Sequence, residues 1–455
     1  MTWKAPLTAI CLFALAACET ASPIETTRAI DTVSNVSDVS FPVEIRARGV
    51  PRSNIALAED FLDLTFALER GEPLRGLLRH EAPVRVYIRP GGLRAYSRDV
   101  ENLLSRFRAE AGIDIRTTTD PAQAQIHVDG VSLRELQRVD SGAACFIVPG
   151  ETNWEGFRAR SARARLRWSA QTTLGTTAIF IPTDTFPQDI RDCLHEELAQ
   201  ALGPANDLYR LPDSVFNDDN FHSIVTSFDM LMLRALYDPE LRSGMPRQVV
   251  AGKIVQILDR INPGGSGRGD LPRAPASAAW KSQIETALTR RNADRRRLAA
   301  ANRAVDIARA MQPNDHRLGV ALITRGRLNR ARDPESAAAD FIEAHELFRA
   351  RLGRNDVRTA QAALHVALVA LETRDYATAG QFADSALGAA RDGQNAVLLS
   401  SLLAVKAAAM AAQGERAGAR ASQLDHLRWA RYAYGDGNGE RRRAQAELEA
   451  LTPRL

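Results

Sequence analysis

Hydrophobic positions between residues 51 and 261 follow two different periods. The runs "NIALAEDFLDLTFALERG" and "SRDVENLLSRFRAEAG" have apolar residues at helical spacing, and Ser53 and Gly112 suit the start of the first helix and the end of the second. Between helical runs lie short alternating or apolar stretches typical of strands. These are "VRVYIRP", "IDIRTTT", "QIHVDG", "ACFIVPG" and "TTAIFIPTD". The mixture predicts an α+β domain with a modest sheet.

The pattern becomes helical and alanine-rich after a segment dense in Pro, Gly and Ser. That segment, 262–278, is predicted to be a linker, and 279–455 an all-α domain. Phe341 corresponds to Phe382 at an offset of 41 residues, and "QPNDHRLGVAL" corresponds to "GRNDVRTAQAAL" at the same offset. This period resembles the longer form of the tetratricopeptide repeat, whose concave face suits a peptide or partner helix. A generic helical bundle is the alternative.

The first residues indicate export and lipid attachment. Lys4 precedes an apolar run, 5–17, that is too short to span a bilayer. The run ends in "LAAC", which resembles the bacterial lipobox, where small residues precede a cysteine that becomes lipidated. The resemblance implies a lipoprotein signal peptide over 1–18 and a membrane anchor on Cys18. A plain signal peptide with a chance cysteine is the alternative.

Residues 19–50 are rich in Thr, Ser, Asp, Val and Pro and lack a helical period, which predicts a flexible tether between the lipid and the folded domains. Glu19 follows the lipobox cysteine where an aspartate often signals inner-membrane retention, so the outer membrane is favoured. We therefore expect a protein of the cell envelope that faces the periplasm.

The cysteines agree with an exported chain. Of the four cysteines, Cys11 would leave with the signal peptide and Cys18 would carry the lipid. Cys145 and Cys193 remain, and an oxidising compartment favours a disulfide between them. Such a bridge would be worth about 3–4 kcal/mol on the chain-entropy model. Two buried free thiols are the alternative.

Composition excludes several classes of protein. At 455 residues, with 45% hydrophobic and 25% charged residues, the chain is long enough for more than one globular domain and is neither largely disordered nor polytopic. The net charge is +4, and the arginines are spread among acidic neighbours without a basic stripe. Nucleic acid is therefore not an expected partner.

One stretch, "HEELAQALGPAND" from His195, resembles the metal-binding helix of metzincin peptidases, HExxHxxGxxH. A frame that starts at His195 fails, because position 199 is alanine. When the frame is shifted by one residue, Glu196, Gln200 and Asn206 stand at the three histidine positions. Glu197 then keeps the position of the general base. Gly203 keeps the position of the turn glycine, and Asp207 follows Asn206.

The residues after this stretch extend the resemblance. "SVFN", which ends at Asn217, lies where these peptidases make their methionine turn, with Phe216 in place of the methionine. "FDMLMLRALYDP" resembles the closing helix. The pattern EExxQxLGxxND followed by SVFND looks like a bacterial family with a zincin-like domain of unknown function. The resemblance covers roughly 51–256 and implies a zincin-like α+β domain over 51–261.

The donor chemistry predicts that no metal or other cofactor is held at the motif. Zinc prefers imidazole and thiolate ligands, whereas Glu196, Gln200 and Asn206 offer one carboxylate and two neutral amides. These side chains would either brace one another by hydrogen bonds or line a ligand cleft. His195 and His222 are expected to be surface or hydrogen-bonded histidines rather than ligands.

Two functions follow from these features. The first is a non-catalytic binding or scaffold protein, anchored in the membrane through Cys18, whose repeats present a surface to an unknown envelope protein or peptide. The second is an unconventional hydrolase, with or without metal, that acts on peptide or cell-wall material with Glu197 as its base.

Overall fold

The computed structural model describes the chain from residue 39 to residue 435 with short gaps. The predicted signal peptide, the lipidation residue Cys18, most of the predicted tether and part of the predicted linker lie outside the described residues. The described ranges are 39–42, 49–68, 71–140, 142–159, 168, 171–217, 219, 221–269, 277–289, 291–311 and 313–435.

Five strands form one sheet in the described part of the chain. Their order is β2-β1-β3-β5-β4; the first four are parallel, and β4 runs antiparallel to β5 at one edge. The sequence predicts all five strands but not their directions. The strands are β1 (Val84–Ile88), β2 (Ile115–Thr117), β3 (Ile126–Val131), β4 (Phe146–Pro149) and β5 (Thr177–Pro182).

Seven helices accompany the sheet in the described residues up to 261. Ser53 caps the first helix by accepting a hydrogen bond from the amide of Ile55, and Gly112 ends the second in a left-handed conformation, both as predicted. The short helices α3 and α4 were not predicted. The helices are α1 (Asn54–Phe66), α2 (Ser97–Ala111), α3 (Leu133–Val139), α4 (Trp154–Ala159), α5 (Pro187–Gln200), α6 (Ser227–Leu236) and α7 (Arg247–Ile261).

The two faces of the sheet bury different cores. Alternate side chains of the central strands, such as Val128 and Ile179, join the main core with α1, α2, α5, α6 and α7. On the opposite face Phe180 packs with Trp154 and Phe157 of α4 in a small aromatic cluster. The motif helix α5 thus lies on the side of the main core.

The described residues between Ala278 and Tyr434 form helices joined by turns, with no strand among them, which confirms the predicted all-α character. Consecutive helices pack against each other along this region. Gly319 and Gly326 allow close approach, because a Cβ at either position would lie within 2.6 Å of the ring of Phe348 or Phe341. The helices are α8 (Ala278–Leu288), α9 (Asp294–Ala310), α10 (His316–Asn329), α11 (Pro334–Arg351), α12 (Val357–Glu372), α13 (Tyr376–Asp392), α14 (Ala396–Ala412) and α15 (Arg416–Tyr434).

The described ends of the predicted tether and linker are packed. Phe41 stacks on Trp429 of α15 with ring centroids 4.4 Å apart. The amide of buried Val50 donates to Oδ1 of Asn262 at 3.1 Å, so the tether's last residue contacts the linker's first. The predicted domain boundaries stay predictions. Within the described residues, no helix has the length and apolarity needed to cross a bilayer.

Candidate functional site

The disulfide between Cys145 and Cys193 is formed, as predicted. The two Cα atoms are 6.0 Å apart, and the bridge joins residues separated by 48 positions. Cys145 directly precedes β4, and Cys193 lies in the middle of α5. The motif helix is therefore covalently attached to the antiparallel edge of the sheet.

Gln200 and Asn206, which stand at two of the histidine positions of the motif, form hydrogen bonds with neighbouring groups. The amide nitrogen of Gln200 donates to both carboxylate oxygens of Asp207 at 3.0 Å. Asn206 donates its side-chain amide to the backbone oxygen of Asp63 at 2.9 Å. Gln200 and Asn206 are both buried. This arrangement, which we call the motif brace (Gln200, Asn206, Asp207 and Asp63), ties the end of α5 to α1.

Ion pairs extend the motif brace along α1. Asp60 is fully buried and accepts from Arg52 at 2.9 Å and from Arg210. Arg210 also reaches Asp63 at 2.8 Å, so one guanidinium links two acidic residues of the same helix. The sequence did not reveal these partners, because Asp60 and Asp63 precede the motif by more than 130 residues.

Gly203 lets the turn after α5 pass close to the backbone of Leu78. Its φ is +140°, and a Cβ there would lie 2.4 Å from the backbone oxygen of Leu78. The hydroxyl of Tyr237 donates to the backbone oxygen of Leu202 at 3.0 Å. Glycine is thus required here by close backbone contact and by its conformation.

The turn that contains "SVFN" is held by the closing helix. Buried Asp229 of α6 accepts from the Ser214 hydroxyl and from the amides of Val215 and Thr226, and burial raises the pKa of its carboxyl to about 6. Asn217 donates its side-chain amide to the backbone oxygen of Leu211. Asn217 therefore has a structural role in shaping this turn.

The same turn contacts the helical region through a buried arginine. Arg358 of α12 is fully buried and pairs with Asp219 at 2.7 Å. Nε2 of His222 lies within hydrogen-bond distance of both the backbone oxygen of Pro212, at 2.9 Å, and the guanidinium of Arg358, at 3.0 Å, and burial together with Arg358 lowers the pKa of the imidazole to about 3. His222 is hydrogen-bonded, as expected. No sequence pattern indicated that Arg358 would lie beside it.

The two glutamates of the motif differ in how deeply their side chains are buried. Glu197, at the position of the general base, is 4% exposed, whereas Glu196 is half-buried. Among the described residues, no three His, Cys, Asp or Glu side chains are grouped so that they could hold a metal ion. The motif offers one carboxylate and two neutral amides where zinc sites have imidazoles, so its donor set does not fit zinc.

A cavity of about 360 Å³ lies on another side of α5. It is bounded by α2, α5, the loop before α6, α15 and residues 39–42. His195 lines this cavity, whereas Glu196, Glu197, Gln200 and Asn206 do not. The structure thus places His195 at this cavity and the residues of the motif brace away from it.

His195 is a neutral hydrogen-bonding group in this cavity. Its Nδ1 accepts from the backbone amide of Val225 at 3.3 Å. Burial, with Arg106 nearby, lowers the pKa of the imidazole to about 3. The neutral ring therefore carries its proton on Nε2.

Arg191 and Asp192 lie next to each other on the same helix. Arg191 pairs with Asp99 at 3.3 Å and stacks over the ring of Tyr432 at 3.8 Å. Asp192 accepts from the Gln188 amide at 2.7 Å, and burial raises the pKa of its carboxyl to about 8. Asp192 is therefore largely protonated at neutral pH.

The residues of the cavity come from six separate parts of the sequence, the last two being single residues, Gln394 and Tyr432. Arg98 and Asn102 of α2 and Tyr432 of α15 line it with His195, and none of the three was predicted. Their only local signal is helical spacing, which does not distinguish a cavity from a solvated face.

Comparison with known proteins gives a family but no activity. No curated protein matches the chain. Residues 54–256, which run from the start of α1 into α7, match a family described as protein of unknown function (DUF2927), and the helical region follows that match.

Proposed function

We propose that this protein is a lipid-anchored cell-envelope protein whose α/β region is a zincin-like domain used for binding, not for zinc-dependent hydrolysis. The observation that carries the proposal is the hydrogen bond from Gln200 to Asp207. In this bond Gln200, which stands at a metal-ligand position of the motif, donates to the side chain of Asp207. The order of α5, Gly203, the "SVFN" turn and α6 supports the zincin-like assignment.

The chemistry of the donors supports the absence of conventional zinc catalysis. A zinc-bound water becomes a nucleophile near pH 7 when imidazole or similar ligands hold the ion. Here the side-chain amides of Gln200 and Asn206 stand at two of the ligand positions and donate to neighbouring oxygens, and the neutral amide oxygens that they could offer to a metal are much poorer ligands for zinc than imidazole.

The helical region supports a role in protein binding. We propose that α8 to α15 form tetratricopeptide-like repeats, on the basis of the 41-residue period and the packing of consecutive helices. Such a stack would offer a concave surface to an envelope protein or peptide. The buried pair Arg358–Asp219 supports a fixed arrangement of this surface with the α/β region.

The metal content of the full chain, purified in detergent, tests the proposal. We expect far less than one zinc ion per chain in elemental analysis. A triple variant, Glu196→His, Gln200→His and Asn206→His, restores three imidazoles in the same frame and serves as the comparison. Stoichiometric zinc in the unchanged protein would contradict the proposal.

Glu197→Gln tests the hydrolase alternative. The substitution keeps the size of the side chain but removes a base. We expect it to match the unchanged protein when each is returned to cells that lack the gene. A loss of function at unchanged protein level would support the alternative instead.

Cys18→Ala tests the lipid anchor, and we expect it to move the protein from the membrane to the soluble fraction.

A further inference from the structure

The cavity beside His195 has an excess of positive charge. Three arginines and one aspartate are the charged residues that line it. Asp99 pairs with Arg191, and Arg106 pairs with Glu110 at 2.6 Å behind the wall. Arg98 is exposed and has no ion-pair partner among the described residues. The uncompensated charge is therefore that of Arg98, at the rim.

Two neutral donors reach the same space. His195 carries its proton on Nε2, and none of the described residues accepts a hydrogen bond from that atom. The side-chain amide of half-buried Asn102 likewise has no hydrogen bond to another described residue. An acceptor with negative charge would satisfy both donors and lie near Arg98.

Part of the cavity wall is apolar. Phe41, Leu103 and Ile224 line the cavity together with the polar residues. Phe41 is held in place by Trp429 and by an edge contact with Tyr432 at 5.5 Å. A volume of about 360 Å³ lies within the range of small-ligand sites, which combine apolar walls with a few polar groups.

We infer that this cavity binds a small organic carboxylate with an apolar side group, the chemistry of a short peptide's C-terminus. Arg98, Asn102 and His195 bind the carboxylate, and Phe41, Leu103 and Ile224 contact the apolar group. The inference rests on the proposed binding role of the protein. It does not depend on the metal content of the motif, because none of the motif-brace residues lines the cavity.

Isothermal titration of the full chain in detergent tests this inference. The probes are N-acetyl-alanyl-leucine with a free carboxylate and the same peptide as its C-terminal amide. We expect the acid to bind at least tenfold more tightly, since a site built around a charged group rejects the neutral analogue. Equal binding of acid and amide, or binding of neither, would overturn the inference.

Two variants identify the binding residues. Asn102→Asp places a negative charge in the cavity with almost no change in shape, and we expect it to weaken binding of the acid at least tenfold. Arg98→Gln removes an exposed charge and should weaken it about fivefold. Arg116→Gln is the matched control, because Arg116 is exposed and does not line the cavity.

The thermal unfolding midpoint of each variant shows whether it is folded. Arg98 is exposed, so Arg98→Gln stays informative even if Asn102→Asp unfolds. An equal loss of affinity in Arg98→Gln and Arg116→Gln would overturn the assignment. Stoichiometric zinc would contradict the proposed function alone, whereas equal binding of acid and amide would contradict only this inference.

Discussion

Arg358 and Asp219 form an ion pair at 2.7 Å although 139 residues separate them in the sequence. Arg358 belongs to α12 of the helical region, and Asp219 follows the "SVFN" turn of the α/β region. The two side chains are 0% and 2% exposed. The pair therefore joins the two regions through a contact from which water is excluded.

Removal of one partner of this pair should be costly. We expect Arg358→Met to lower the free energy of unfolding by about 3–5 kcal/mol, because it leaves Asp219 buried without its counter-charge. Urea unfolding measures the loss. Arg309→Met is the control, since the pair of Arg309 with Glu343 is exposed and should be worth less than about 1 kcal/mol. Equal losses in the two variants would contradict a special role for the buried pair.

The motif brace can be measured by a double-mutant cycle. Gln200→Leu and Asp207→Ala, singly and together, should give a coupling energy of about 1–2 kcal/mol, because the hydrogen bond is part-buried and charge-assisted. Gln123 and Asp120 have the same kind of bond at 3.0 Å on the exposed surface. Their cycle should give a coupling near zero. A coupling near zero at Gln200 as well would show that the brace does not stabilise the fold.

Gly203→Ala should destabilise the protein by at least about 3 kcal/mol, because it combines a positive φ with a Cβ that collides with the backbone of Leu78. Gly112 also has a positive φ, but nothing lies within 4 Å of its Cβ position. Gly112→Ala should therefore cost only about 1–2 kcal/mol. Chemical unfolding of both variants separates the steric part from the conformational part. Similar losses would mean that the contact with Leu78 is absent in solution.

Asp192 should make the protein less stable as the pH rises. Its pKa is about 8 in the fold, above its ordinary value of 3.8. Between those two values the folded state binds more protons than the unfolded state, so the contribution of Asp192 to stability falls as pH rises from about 4 to about 8. Asp192→Asn removes this dependence. We expect the variant to exceed the unchanged protein in thermal stability at pH 8, with the difference shrinking toward pH 5; a constant difference would contradict the raised pKa.

Local patterns predict the elements that depend on neighbours in the sequence. Ser53 begins α1 because its hydroxyl accepts from the adjacent backbone. Gly112 ends α2 because a residue without a side chain readily adopts the left-handed conformation. The disulfide was predicted because only Cys145 and Cys193 remain for an exported chain. Strand direction was not predicted, since it depends on the connections between strands.

The candidate site was predicted only in part. The sequence identified Gln200 and Asn206 and left open whether they form a brace or a cleft. The structure gives the brace, whose partners include Asp63 on a distant helix. The cavity was not predicted, because Arg98 and Tyr432 meet at it from helices that are far apart in the chain.

The stacking of Phe41 on Trp429 limits how far the folded protein can stand from a bilayer. If Cys18 carries the lipid as proposed, the 21 residues from there to Val39 span at most about 75 Å when fully extended. This part of the predicted tether ends close to Phe41, which lines the cavity. Whatever occupies that cavity must come within this height of the membrane surface, so envelope components confined beyond it cannot be partners.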